Sequence, residues 1–180
     1  MAIKTLDEFL ATIPNANNRA RIVEVLDWVS QRYPELELRI ARNQPMFTHH
    51  GTYIIVFSAT CRHMAMAPEH ATTIRLEPVM RKRGTDFGKM FARQPWNEPF
   101  DYELAAAFID RQLGDKREIT SFWRPKEHER LAAEAVAAGE APPVVTPRTK
   151  DDNAWLQNTL KRIQATPEAE HTEDEQLEMR

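Results

Sequence analysis

The sequence contains one cysteine, Cys61, so neither an intramolecular disulfide nor a multi-cysteine zinc site can form. Glycine is scarce, five in 180 residues, and no Gly-rich phosphate cradle, G-x-S-x-G elbow or H-E-x-x-H helix is present. No apolar run approaches the roughly 20 residues that cross a bilayer as a helix. The opening MAIKTLDEFLATIP lacks the apolar stretch of a signal peptide. Neither sign of charge dominates; a formal net charge of −3 argues against a dedicated nucleic-acid binder. The expectation is a soluble cytoplasmic protein with no membrane partner. With 42% hydrophobic residues, it can bury one core.

What is present begins with helices. Thr5 and Glu8 form a capping box, and Leu6, Phe9, Leu10 and Ile13 make an apolar face that Pro14 ends. A second helix is capped by Asn17 or Asn18 and carries Ile22, Val25, Leu26 and Val29 on one stripe. Its opposite face holds Arg21, Glu24, Asp27, Gln31 and Arg32, and Tyr33-Pro34 closes it.

The period then changes to two. Leu36, Leu38 and Ile40 alternate with Glu35, Glu37 and Arg39, as in a half-buried strand. After a break at Asn43-Gln44-Pro45, Met46–His49 and Thr52–Ser58 read as a hairpin about His50-Gly51, with a further strand from Arg62 to Ala67. Connections this short require antiparallel pairing, which predicts a meander of about four strands. Residues 69–83 stay open between loop and a short helix limited by Pro78. Residues 84–91 suit a last strand and 93–99 a loop. Asp101 then caps a helix with Leu104, Ala105, Phe108, Ile109 and Leu113 on one face, closed by Gly114.

Beyond residue 119 the composition shifts. Pro125 suits a first helical turn, Glu127–Ala138 favours helix, and residues 141–147 read as a linker. Residues 151–164 place Trp155, Leu156, Leu160 and Ile163 on one helical stripe. The last fifteen residues hold six acids and one arginine, the signature of a disordered acidic tail. The expected organisation is an α+β domain over 1–118, an accessory helical extension over 119–165 and the tail over 166–180. The fold class is an α+β two-layer sandwich, an antiparallel β-meander covered by N-terminal and C-terminal helices. Its expected core includes Phe9, Ile22, Leu26, Val29, Leu38, Ile40, Ile55, Phe57, Met64, Phe108 and Ile109.

Several ordered stretches carry a family likeness: TLDEFLATIP, RARIVEVLDWVSQRYPELELRI, PMFTHHGTYIIVFSA, RHMAM and PFDYELAAAFIDRQL. Across about residues 5–113 the chain resembles the YdhG-like family of small bacterial domains, whose members are described as frataxin-like iron chaperones or left without a function. The resemblance implies a non-enzymatic protein that holds iron weakly through surface carboxylates and donates it to iron–sulfur or haem assembly proteins. Hard iron ions favour oxygen ligands. The candidate metal residues are Asp7 and Glu8, Glu24 and Asp27 one helical turn apart, and Glu35 and Glu37 on one strand face. These acids also serve helix dipoles and ordinary ion pairs.

The alternative is a metal-free binding module, with a small-ligand pocket walled by Trp28, Phe47, Tyr53 and Trp96. Other chemistries are thinner. His49 and His50, adjacent at the hairpin turn, would point to opposite faces of any regular strand. His63 falls near Ser58, and His70 lies on a loop. Cys61 and His63 are two residues apart but lack an orienting third group. The basic stretch Arg75–Arg93, with Phe91 and Trp96, could meet an anion or an acidic partner. A homodimer stays open.

Overall fold

The computed structural model describes residues 2–143 and Val145. The expected helix over 151–164 and the acidic tail over 166–180 lie outside them. Among the described residues five helices and six strands follow in the order α1 Leu6–Leu10, α2 Ala16–Arg32, β1 Glu37–Ala41, β2 Gln44–His49, β3 Thr52–Ala59, β4 His63–Ala67, α3 His70–Arg83, β5 Asp86–Phe87, β6 Ala92–Pro95, α4 Tyr102–Asp115 and α5 Glu127–Ala137. The strands form one antiparallel sheet in the order β1-β2-β3-β4-β6-β5, so the expected α+β architecture is present.

Local chemistry sets the element boundaries. Thr5 Oγ1 accepts from the Glu8 amide at 3.1 Å, and the Glu8 carboxylate returns to Lys4 N. The cap of α2 is Asn15, not Asn17 or Asn18. Its side-chain oxygen accepts from both of their amides, at 2.9 and 3.1 Å, and so satisfies two donors left over at a helix start. Two β-hairpins turn through consecutive left-handed residues, Arg42 and Asn43 (φ 52° and 65°) and then His50 and Gly51 (φ 36° and 87°). That is the primed turn whose twist matches paired strands. The first turn therefore sits one residue ahead of the break read from Asn43-Gln44-Pro45.

Residues 70–83 are one helix of 14 residues with Pro78 inside it. Leu76, Val79 and Met80 sit in the core on that helix, and this burial offsets a proline that costs about 3 kcal/mol in an isolated helix. The strand expected at 84–91 is only Asp86–Phe87; the longer strand is Ala92–Pro95, within the stretch read as loop. Its pairing with β4 uses the amides of that stretch, a long-range partner that local propensity does not reveal. Asp101 caps α4 as expected, and the helix runs through Gly114 to Asp115.

The core joins α1, α2, α4 and the buried face of α3 to one face of the sheet, with Phe47, Phe57 and Phe108 fully buried. Between Phe47 and Thr48 the β2–β3 register skips Ile54. This bulge lets two successive residues, Ile54 and Ile55, both enter the core. Two expected core residues differ: Leu38 is 38% exposed and Ile40 half-buried. Both lie on β1, the edge strand, where no further strand among the described residues covers them. Arg21, expected on the solvated face of α2, is buried, and its guanidinium donates to the Glu98 carbonyl at 3.3 Å. The long side chain crosses to the loop before α4 instead of turning to water.

Candidate functional site

The candidate acids are spread over three places. Asp7 and Glu8 lie exposed in the first turn of α1, Glu24 and Asp27 are exposed on α2, and Glu35 and Glu37 are exposed at the entry to β1. Glu24 accepts a hydrogen bond from the Tyr102 hydroxyl at 3.0 Å. Among the described residues no three His, Cys, Asp or Glu side chains converge closely enough to cage an ion. The acids offer one- or two-oxygen contacts to a hard cation, from side chains that remain in water.

The four aromatic pocket candidates have separate neighbours. Trp28 is half-buried and packs on Tyr33 and Tyr102 at 6.2 and 5.0 Å between ring centroids. Phe47 meets Phe57 edge to face in the core. Tyr53 packs on Phe122 and Trp123, and Trp96 donates its indole N–H to the Thr60 carbonyl.

The basic stretch is largely paired within the chain. Arg75 meets Glu140, Arg81 meets Glu77, Arg93 meets Asp86, and Arg83 is buried against Asp101. These pairs leave little surplus charge for an anionic partner. The histidine expectations change in three respects. The rings of His49 and His50 are 4.3 Å apart, because His50 has left the strand for a left-handed turn conformation. His63 pairs across to Pro95 and its ring nitrogen meets the Thr60 hydroxyl, not Ser58. His70 is the first residue of α3, where Glu129 of α5 lies 3.6 Å away.

The densest polar chemistry was not singled out from the sequence. Glu69, Thr72, Gln112, Lys116 and Arg124 are all buried and meet where the start of α3, the end of α4 and the 119–124 segment converge. Glu69 is the N-cap residue of α3, yet its side chain makes no cap bond. Its carboxylate accepts from Lys116 Nζ and, at 3.0 Å, from the Arg124 amide. Lys116 also donates to the carbonyls of Tyr53 and Phe122, joining β3 to the segment. Arg124 reaches Thr72, Gln112 and Asp115, and Gln112 donates to the Ile54 carbonyl at 3.0 Å, inside the bulge. Thr52 Oγ1 donates to the Ser121 carbonyl, and the Tyr53 amide to that of Phe122. The cluster fastens the chain beyond α4 to the sheet. The signal was weak: three charges at positions 69, 116 and 124 with no local spacing to unite them.

Burial pushes the Lys116 ammonium below the ordinary lysine value, an effect opposed by Glu69. Burial also raises the phenols of Tyr33, Tyr53 and Tyr102 above their ordinary 10.0, with Asp110, Glu69 and Glu24 adding to it. Folding thus favours the protonated phenols: that contribution is complete below pH 10 and is lost as pH rises beyond it. Lys116 has the opposite sign, since its buried charge opposes folding less as pH climbs toward 10.5. Three phenols outweigh one amine. The free energy of unfolding is therefore expected to fall above about pH 10 as the phenols titrate. Urea titrations at stepped pH check this, and a stability that rises there contradicts it.

Among the described residues no helix is long and apolar enough to cross a membrane. No protein-family profile matches the chain. A curated protein, the intracellular iron chaperone frataxin of Bacillus subtilis (strain 168), is 44% identical over 117 residues, 65% of this chain and 95% of that protein. A crystal structure of a DUF1801-family protein (YdhG) from Bacillus subtilis matches with a TM-score of 0.64 at 43% identity, covering 66% of this chain and 96% of that one. A second solved structure, an uncharacterised conserved protein from Lactobacillus casei ATCC 334, is 33% identical over 67% of this chain and 99% of that one, with a TM-score of 0.46. With this identity sustained along nearly the whole of its relatives, and the same α+β fold, the chain belongs to the YdhG-like DUF1801 family.

Proposed function

We propose that this protein is a non-enzymatic iron-binding accessory, which holds iron as cargo on exposed carboxylates and passes it to an iron–sulfur or haem assembly protein. The observation that carries this reading is the 44% identity to a protein named as an intracellular iron chaperone. The physical chemistry is consistent with it. A delivery protein needs oxygen ligands for hard iron and a bound state loose enough to release. Asp7, Glu8, Glu24, Asp27, Glu35 and Glu37 are solvent-exposed and dispersed, so each contact is short of a chelating cage.

Calorimetric titration with ferrous iron under anaerobic conditions tests the reading. The wild-type protein is expected to bind iron weakly and reversibly, and a variant with Glu24→Gln, Asp27→Asn, Glu35→Gln and Glu37→Gln is expected to lose most of that affinity. Unchanged binding in the variant removes the residue assignment. No binding by the wild type removes the function.

A further inference from the structure

Among the described residues β1 ends the sheet on one side and β5 on the other. The β5 edge is two residues long, a common protection against pairing with another chain. The β1 edge is five residues long, contains no proline, lysine or bulge, and exposes Leu38 beside the half-buried Ile40. Such an edge is a template for a further strand.

The hairpin fixes which backbone groups are available. A two-residue turn at Arg42-Asn43 makes Ala41 and Gln44 the hydrogen-bonded closing pair, and bonded pairs then recur at Arg39 with Met46 and at Glu37 with Thr48. Pro45, which has no N–H, sits opposite Ile40 in a non-bonded pair, as this parity requires. The amides and carbonyls of Leu38 and Ile40 therefore point away from β2, toward the open edge.

We propose that two copies of this chain join through β1, antiparallel and about a twofold axis at Leu38. In this register Leu38 faces Leu38 of the second copy, and their outward backbone groups exchange two hydrogen bonds. Leu36 faces Ile40, which extends the apolar row on the core side of the sheet. Glu37 faces Arg39 twice across the axis on the other side, and both are exposed in the single chain. Opposite charges placed directly across antiparallel strands attract, and like charges repel. The neighbouring registers of the same parity put Glu37 against Glu37 or Arg39 against Arg39. Charge and apolar pattern select the same alignment, and the occupant that satisfies both is a second copy of this strand.

Sedimentation equilibrium of the full chain through the micromolar-to-millimolar range tests this, with circular dichroism to check that each variant is folded. The wild type is expected to show a monomer–dimer equilibrium. Glu37→Arg and Arg39→Glu, each creating two like-charge contacts, are expected to weaken the dimer about tenfold. The double exchange Glu37→Arg with Arg39→Glu restores the opposite pairing and is expected to restore the dimer. A wild type that stays monomeric, singles that leave the dimer unchanged, or a double exchange that fails to restore it each overturn the proposal.

Discussion

Glu69→Ala is expected to cost about 3–5 kcal/mol of stability, a lowering of the melting temperature by roughly 10 °C. The wild-type carboxylate takes bonds from Lys116 Nζ and from the Arg124 amide, and all three side chains are shielded from water. Alanine leaves an ammonium with no exposed surface facing two carbonyls and the Tyr53 ring, with no carboxylate, and it leaves the Arg124 amide without its acceptor. Asp115 still pairs with Arg124 at 3.1 Å, so the loss should concentrate on Lys116. The additional variant Lys116→Met removes the stranded charge. Combined with Glu69→Ala it should recover part of the loss, because a buried pair replaced by apolar groups is often neutral. Amide exchange should rise at Tyr53, whose N–H bonds to the Phe122 carbonyl. Chemical denaturation with exchange mass spectrometry checks both. A change below about 1 kcal/mol would mean that the cluster is already well hydrated.

Asp101→Ala is the second large effect, also about 3–5 kcal/mol. One carboxylate oxygen caps α4 through the Leu104 amide at 3.1 Å, while Arg83 Nε donates to the other at 2.9 Å. The side chains are 1% and 9% exposed, so removing the acid takes a carboxylate partner from a nearly dry guanidinium at the end of α3. Asp101→Asn keeps an oxygen for the cap but loses the charge. It should recover only the capping part, about 1 kcal/mol. Denaturant titration of the three proteins separates the two roles, and equal stability for the asparagine variant and the wild type would contradict the pairing.

Asp101 shows both the reach and the limit of the sequence. Its cap was legible because a helix start is a local event, one acid followed by an apolar stripe. Its pairing with Arg83 was not, since eighteen residues and a strand exchange separate them. The same division runs through the fold. The stripe on α2 and the alternation of β2 and β3 lie at fixed spacings and are visible in the chain. Leu38 follows that alternation faithfully and is still exposed, because position at a sheet edge is a property of topology. Pro78 argued against a long helix on local grounds, and tertiary burial of Leu76, Val79 and Met80 overrode it. The Glu69–Lys116–Arg124 cluster unites three distant segments, so no window of sequence contains it. The candidate carboxylates were legible as exposed acids on predicted faces, and all six are exposed in the fold.

Iron held on those carboxylates, as proposed, would report its own position. Two-dimensional amide spectra recorded while ferrous iron is added locate it, because a paramagnetic ion broadens the signals nearest to it. Selective loss of signal is expected around Asp7 and Glu8, Glu24 and Asp27, and Glu35 and Glu37, reversed by a chelator. Broadening centred on the histidines of the β2–β3 turn, or spectra unchanged by iron, would contradict the proposal.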